Sequence, residues 1–204
     1  MCKCSKVSHI KLKFKTRRDM IRMKYIYEFN KAIADLLDSP LVQSMDKLEQ
    51  HSKSATLLDH LVYTSYISYI VCKRLGLNEN AAARGALLHD FRIKDIKSFI
   101  YSIFTHSKLA LKEANTHFHL TELEQDIIKK HMWPATPFLF PKYKESFIVS
   151  LVDKYCATME FLGLYKKTKT TRKLSNLVQA TRGINIINIK KRMTPSVEKK
   201  KVAV

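Results

Sequence analysis

At 204 residues the chain is long enough for one domain with a sizeable core, and its formal net charge is +19 at pH 7. Only 4 Gly and 5 Pro argue against a fold of many short strands joined by turns. The sequence lacks a run of about 18 apolar residues that would predict a membrane span. Its 4 Cys lack the spacing of a zinc knuckle or a disulfide framework. We therefore expect reduced thiols and a cytoplasmic location.

The excess positive charge lies at the two ends of the chain. Residues 1–24 carry a net +8 and residues 165–204 a net +11, whereas positive and negative residues balance over 25–164. This partition predicts a basic leader over 1–20, a helical domain over 21–164 and a basic C-terminal extension over 165–204. The basic ends suit weak contacts with a nucleic acid or an anionic surface. They carry no information about the neutral centre.

Apolar residues recur at helical spacing through most of the neutral centre. In chain order, helices are predicted over 21–37, 40–48, 54–75, 78–90, 107–118, 121–133 and 145–162. Residues 91–105 are ambiguous, and the aromatic stretch 135–143, which contains two prolines, is predicted to be a loop. The predicted fold class is all-α, a helical bundle.

Several helix ends carry recognisable residues. Ser54 is expected to open the third helix and Gly76 to stop it. Asn78 is expected to cap the fourth helix, and Thr121 with Glu124 forms a capping box for the sixth.

One face of the fourth predicted helix is nearly bare of side chains. Ala82, Gly85, Ala86 and His89 share that face because they are spaced at i, i+3, i+4 and i+7. A glycine inside a helix costs roughly 1 kcal/mol relative to alanine. Gly85 therefore predicts the close approach of another helix, and His89 is expected where the two helices touch.

Two polar residues interrupt otherwise apolar helices. His60 lies in the third predicted helix, where a hydrogen-bonded core histidine is the alternative to a metal ligand. Asp153 lies in a helix that is apolar nearly all round, so its carboxylate must be paired or bind a metal. Lys154 is adjacent in sequence and is not expected to face Asp153 on a helix. A distant salt bridge is therefore the alternative to a metal at Asp153.

Further candidate ligands lie at helix ends. His89 and Asp90 are adjacent at the end of the small-residue helix. His131 ends its helix on the core side, where a cation at the helix C-terminus is the alternative. His106 is expected at the start of its helix, where capping or exposure would be equally ordinary. Imidazoles and carboxylates of this kind suit a catalytic Mn, Fe, Zn or Mg site.

The order His60, His89-Asp90, Asp153 resembles the HD-domain superfamily of metal-dependent phosphohydrolases. Residues 59–77, 84–90 and 150–154 are similar to that family's first-histidine helix, its doublet motif and its last-aspartate motif. Residues 130–134 and 141–145 are similar to a subgroup of small, stand-alone bacterial HD proteins. The resemblance covers about 50–162.

The resemblance implies an all-helical fold with a divalent metal at its centre. The first ion would be held by His60, His89, Asp90 and Asp153. His106 and His131 lie where two-metal members of the family place additional histidines, and Asp90 would then bridge the ions. One or two ions of Mn, Fe, Mg, Zn or Ni are compatible with this ligand set.

Basic residues near the motifs are candidates for holding a phosphorylated substrate. The family commonly continues Ile-Gly-Lys after its doublet, whereas this chain continues Phe-Arg-Ile-Lys, so Arg92 or Lys94 is the candidate replacement for that lysine. Lys130, Lys142 and Lys144 are further candidates, with ordinary solvated surface charge as the alternative for each.

The leading hypothesis is metal-assisted hydrolysis of a phosphate ester or anhydride, with Asp90 as the catalytic residue. A nucleotide is the favoured substrate by family analogy. One alternative is a catalytically silent HD-fold module that binds a metal or nucleotide for regulation. Another is a helical protein whose basic ends bind nucleic acid with a strong salt dependence.

Overall fold

Helices make up most of the computed structural model, which describes residues 17–48, 56–91 and 99–162 and the single positions 164, 174 and 178. In chain order the elements are α1 (Arg17–Leu37), α2 (Pro40–Gln43), a 3-10 turn (Ser44–Lys47), α3 (Leu57–Arg74), α4 (Glu79–Leu88), α5 (Phe99–His117), α6 (Glu122–Lys130) and α7 (Lys144–Phe161). The predicted all-α fold class is confirmed. None of the helices in these described ranges has the length and apolar character needed to cross a bilayer.

Three helices begin at places that the sequence did not predict, and the first of them is α1, which begins at Arg17 in place of residue 21. Helix α3 begins at Leu57, because Thr56 and Asp59 form a capping box in which each side chain accepts the other's backbone N–H. Ser54, the predicted opener, lies outside the described residues. Helix α5 begins at Phe99, so it takes in part of the ambiguous stretch and places His106 in its interior. The prediction that His106 starts a helix is therefore wrong.

The helix ends for which the sequence named Gly76, Asn78 and Thr121 are confirmed, whereas the helix predicted over 121–133 ends at Lys130 and the one predicted over 40–48 divides into α2 and the 3-10 turn. Gly76 follows α3 with a φ of 66°, a conformation that glycine adopts without steric cost. The Asn78 side chain accepts the N–H of Ala81 at 3.0 Å, and Thr121 with Glu124 forms the expected capping box. Fixed termini matter here because His60 lies in the first turn of α3, and His89 and His131 are the C-cap residues of α4 and α6.

Helices α3 and α4 lie at the centre of the bundle, where α3 packs against α7 and α4 packs against α1 and α6. The Ser65 hydroxyl donates to the carbonyl of Ala83 at 2.6 Å and so ties α3 to α4. Arg84 donates to Glu124 at 2.7 Å and to Asp35 at 2.5 Å. This single guanidinium therefore links α4 to both α6 and α1.

Not every apolar residue of α5 faces the core, since Leu109 is 47% exposed. Ala110 and Ala114 are buried, and Leu109 is about 100° round the helix from Ala110. In the predicted C-terminal extension, Leu174 and Val178 are buried against the core, and Val178 accepts a hydrogen bond from Asn30 at 3.0 Å.

The basic leader and the rest of the C-terminal extension lie outside the described residues, except that α1 begins at Arg17, inside the predicted leader.

The predicted close approach at Gly85 is present, and the neighbouring helix is α6. A Cβ added at Gly85 would lie 2.8 Å from Cγ2 and 2.9 Å from Cβ of Ile127, closer than real side chains approach. Ile127 is fully buried, so it has little room to move away. The bare face of α4 thus allows α6 to lie directly against it.

We expect Gly85→Ala to destabilise the protein. Overpacking of a buried contact costs typically about 1–3 kcal/mol, which exceeds the roughly 1 kcal/mol that alanine gains in helix propensity. Urea denaturation of the full chain should show a net loss of up to about 2 kcal/mol.

The same substitution should be less harmful when Ile127 is already Ala, because the atoms that clash are then mostly gone. Equal effects of Gly85→Ala in the two backgrounds would contradict the steric explanation.

Candidate metal centre

His60 is held between two carboxylates of α7. It lies in the first turn of α3 and is almost fully buried. Its Nε2 is 3.2 Å from Oδ1 of Asp153, and its Nδ1 is 3.0 Å from Oε1 of Glu160. The helix packing of α3 on α7 therefore surrounds one imidazole with acceptors on both of its nitrogens.

His89 and Asp90 follow directly after α4. His89 is the C-cap residue, and its Nδ1 donates to the carbonyl of Ala86 at 2.8 Å, which satisfies one of the free carbonyls at the helix end. The opposite nitrogen, Nε2, lies 3.3 Å from Oδ1 of Asp153 and 3.4 Å from Oδ2 of Asp90. His89 thus lies between the two aspartates.

His131 repeats this local arrangement at the end of α6. It is the C-cap residue, and its Nδ1 donates to the carbonyl of Ile128 at 2.8 Å. Its Nε2 lies 2.9 Å from Nε2 of His106 and 3.3 Å from Oδ1 of Asp90. His106 Nε2 is 3.6 Å from the same Asp90 oxygen. The structure therefore brings together all six residues proposed as ligands.

Hydrogen bonds at Nδ1 determine which nitrogen faces the cluster. A carbonyl oxygen can only accept, so His89 and His131 carry their hydrogen on Nδ1 when the ring is neutral. In these two neutral rings the lone pair is on Nε2 and points at the aspartates, as a metal ligand requires. At His60 carboxylates face both nitrogens, and an ion at Nε2 would leave the hydrogen on Nδ1 for Glu160.

The distances between these atoms fit ligands that share an ion. Metal–ligand bonds of about 2.1 Å place neighbouring ligand atoms about 3.0–3.4 Å apart at octahedral to tetrahedral angles. The nitrogen–oxygen pairs of His60 and His89 with Asp153, and of His131 with Asp90, lie at 3.2–3.3 Å. In two groups of side chains the candidate ligand atoms all lie within 4.8 Å of one another: His60, His89 and Asp153; and His89, Asp90 and His131. Each group could hold one metal ion, and His89 belongs to both.

Two buried ligand atoms at the junction of the groups have unmet bonding capacity. Nε2 of His89 and Oδ1 of Asp90 have no hydrogen-bond partner in the part of the chain that the structure describes. Buried polar atoms are normally satisfied, so a cation between them would supply the missing interaction. The residues present therefore fit a metal ion.

The cluster perturbs the acidity of its own members. Burial acts to lower the pKa of His60, but its hydrogen bonds to Asp153 and Glu160 prevail and raise the pKa to about 9. Burial also opposes ionisation of Asp153, yet the charge of His89 and the hydrogen bond from His60 hold its pKa well below the usual range. Before an ion binds, a protonated His60 thus faces an ionised Asp153.

In the group of His89, Asp90 and His131, the pKa values of the two histidines shift in opposite directions. The charges of Asp90 and Asp153 overcome burial and raise the pKa of His89 well above its ordinary value. The charge of His89 likewise overcomes burial and lowers the pKa of Asp90. For His131 burial prevails, and its pKa is lowered. His131 therefore stays neutral at pH 7 and keeps a lone pair on Nε2.

Lys154 contradicts one expectation from the sequence. Its Nζ lies 2.7 Å from Oδ2 of Asp153 and 2.7 Å from the carbonyl oxygen of His131. Adjacent residues of a helix point in different directions, but the long lysine side chain is flexible enough to reach back to its neighbour. The prediction that Lys154 cannot face Asp153 is therefore wrong.

Three basic residues proposed to hold a substrate have other surroundings. The amine of Lys130 contacts Oδ1 of Asp126 at 3.2 Å and donates to the carbonyl of Phe140 at 2.7 Å. The amine of Lys142 lies over the ring of Tyr143 at 5.1 Å. Lys144 is exposed at the start of α7, nine residues or about 13 Å along the helix from Asp153. Arg92 and Lys94 lie outside the described residues.

Sequence reasoning missed Glu160 and Lys154. The pattern that identified Asp153, a carboxylate on the buried face of an apolar helix, also applies to Glu160, seven residues further along α7. Glu160 lies next to the helix end, where an exposed carboxylate is ordinary, so the sequence does not single it out. For Lys154, adjacency to Asp153 was available from the sequence, but the direction of its side chain was not.

Comparison with protein-family models, curated proteins and solved structures finds no match to this chain. The family resemblance therefore depends on the ordered motif residues.

Metal binding should release protons and become tighter as the pH rises. Because the pKa of His60 is about 9 before an ion binds, an ion at Nε2 must displace a proton at pH 7. We expect the affinity for Mn²⁺ to increase between about pH 6.5 and 9.

Isothermal titration at pH 7 in two buffers of different ionisation enthalpy measures the released protons. An affinity that is independent of pH, with the same heat in both buffers, would contradict this assignment.

Proposed function

We propose that this chain is a metal-dependent phosphohydrolase of the HD-domain type that cleaves a phosphate ester or anhydride, with a nucleotide as the favoured substrate. The observation that carries the proposal is the convergence of three Nε2 atoms, each set by a hydrogen bond at Nδ1, on the carboxylates of Asp90 and Asp153. The order of these residues along the chain supports the family assignment by analogy.

Two divalent ions fit the proposal better than one. Oδ2 of Asp90 faces His89, and Oδ1 faces the pair His106 and His131, so the two oxygens face different imidazoles. Four imidazoles and two carboxylates favour Mn, Fe, Zn or Ni over Mg, which prefers oxygen ligands. Such ions make bound water acidic and neutralise charge on phosphoryl oxygens.

The exposure of the cluster indicates where a substrate would enter. The side chains of His60, His89 and His131 are at most 1% exposed, whereas Asp90 is 20% and Lys154 is 32% exposed. A phosphate would therefore approach from the side of Asp90 and Lys154. Asp90 is ionised because its pKa is low, and its carboxylate would orient the attacking water by accepting a hydrogen bond from it.

Lys154 joins the candidates for holding the phosphate. Within the described ranges, Lys154 is the lysine whose amine donates a hydrogen bond to a carboxylate of the cluster, that of Asp153. Two of its three N–H donors are used by Asp153 and the carbonyl of His131, and the third meets only the weak sulfur acceptor of Met132 at 4.0 Å, which an anion at the entrance would replace. Arg92, Lys94, Lys130, Lys142 and Lys144 stay in the proposal as residues that follow or surround the motifs.

The purified protein should contain about two ions per chain and release phosphate from a nucleotide panel when Mn²⁺ is added. Asp90→Ala should lose both the ions and the activity, because one carboxylate oxygen faces His89, which belongs to both groups, and the other faces His106 and His131. His106→Ala should reduce the content towards one ion. Elemental analysis and a phosphate assay measure these outcomes.

His119→Ala is the matched control, since His119 is exposed and has no recorded contact with the cluster. Its metal content and turnover should equal those of the wild type. Tightly bound metal without turnover of any phosphate substrate would favour the regulatory binding module instead. A protein that takes up no metal would contradict the proposal.

Lys154→Ala should raise the KM for substrate and lower kcat/KM by at least about tenfold, since a charge-assisted hydrogen bond is worth about 1.5–3 kcal/mol. Lys112→Ala, an exposed lysine on α5, is the control for general loss of positive charge. Steady-state kinetics of the Mn²⁺-loaded variants test this. Equal kinetics of the two variants would exclude a substrate contact at Lys154.

A further inference from the structure

Glu160 is a buried carboxylate at the end of α7 that belongs to neither group of candidate ligands. It is 3% exposed although only Phe161 follows it in the helix. Burial of an ionised carboxylate is costly unless it is paired. Its Oε1 lies 3.0 Å from Nδ1 of His60, and its Oε2 has no hydrogen-bond partner within the described ranges. Among the described residues, the contact with His60 is thus the hydrogen bond that offsets the cost of burying this carboxylate.

The position of Glu160 follows from the helix period. Asp153 and Glu160 are seven residues apart, two turns of α7, so they point from the same face. Asp153 approaches one nitrogen of His60 and Glu160 the other. Helix α7 therefore supplies both a candidate ligand, Asp153, and the group that orients the next ligand, His60.

His60 differs in this respect from the other two oriented histidines. His89 and His131 donate to backbone carbonyls, which are neutral. His60 donates to a carboxylate, and a charged acceptor raises the basicity of the opposite nitrogen more than a neutral acceptor does. Nε2 of His60 is therefore expected to be a stronger metal ligand than Nε2 of His89 or His131.

We propose that Glu160 is a positioning residue that fixes His60 with Nε2 towards the cluster and strengthens ion binding at the group of His60, His89 and Asp153. This inference depends on the metal-binding part of the proposed function. It adds that the two ion positions differ in affinity and that the position next to His60 is the tighter one.

Glu160→Gln isolates the charge. Glutamine has nearly the same volume, and its amide oxygen can still accept from Nδ1 of His60. Mutation of a group that hydrogen-bonds a metal-binding histidine typically lowers metal affinity about 10–100-fold. We expect this loss for the tighter of the two ions, with the weaker ion unaffected. Glu122→Gln is the control, because Glu122 is an exposed carboxylate in the first turn of α6.

The experiment is a direct Mn²⁺ titration of the full chain, with free Mn²⁺ followed by electron paramagnetic resonance, for the wild type and both variants. Selective weakening of one ion in Glu160→Gln supports the inference. Unchanged binding, or an equal loss at both ions, overturns it and leaves the proposed function standing. A wild type that binds no ion overturns the proposed function and this inference together.

A second measurement needs no substitution and covers the case in which Glu160→Gln does not fold. In the Zn²⁺-loaded wild type, nitrogen NMR of the imidazoles should show a hydrogen on Nδ1 of His60 and a metal-bound Nε2. A metal-bound Nδ1, or a Nδ1 without hydrogen, would overturn the inference.

Discussion

The hydrogen bonds at Nδ1 of the buried histidines are the interactions on which the candidate metal centre depends. An imidazole has two nitrogens, and only the one that does not donate elsewhere can present a lone pair. In His89 and His131 the donated hydrogen goes to a carbonyl at the end of the residue's own helix. The same bond caps the helix and orients the ligand, so local helix geometry and metal-binding geometry are not independent.

The packing of α4 against α6 brings these two helix ends together. The bare face around Gly85 lets Ile127 lie where a side chain would otherwise stand. As a result the rings of His89 and His131 are 4.8 Å apart between centroids. The packing of α3 against α4 places the rings of His60 and His89 5.6 Å apart. A glycine that is unfavourable for an isolated helix is thus explained by a contact between two helices.

The electrostatics of the cluster have one consistent pattern. Carboxylates with lowered pKa values face imidazoles, two of which have raised pKa values. Buried charges of one sign need charges of the other, and protons on His60 and His89 can meet this need before an ion binds. A divalent cation would meet the same need from the same positions. Lys154 and Glu160 extend the pattern outward by pairing with Asp153 and His60.

The sequence alone determined the helical class, most helix ends, the close approach at Gly85 and the residue types of the cluster. These features follow from helical periodicity, capping chemistry and the cost of burying charge, all of which act over a few neighbouring residues. The start of α5 escaped prediction, because the capping and apolar pattern of 91–105 is ambiguous without its tertiary neighbours.

Tertiary structure alone decided which atoms face one another. It placed Glu160 on His60, turned Lys154 back onto Asp153 and divided the oxygens of Asp90 between two groups of histidines. Those contacts join residues on different helices, or depend on side-chain rotamers that neighbouring helices select, so no local pattern contains them.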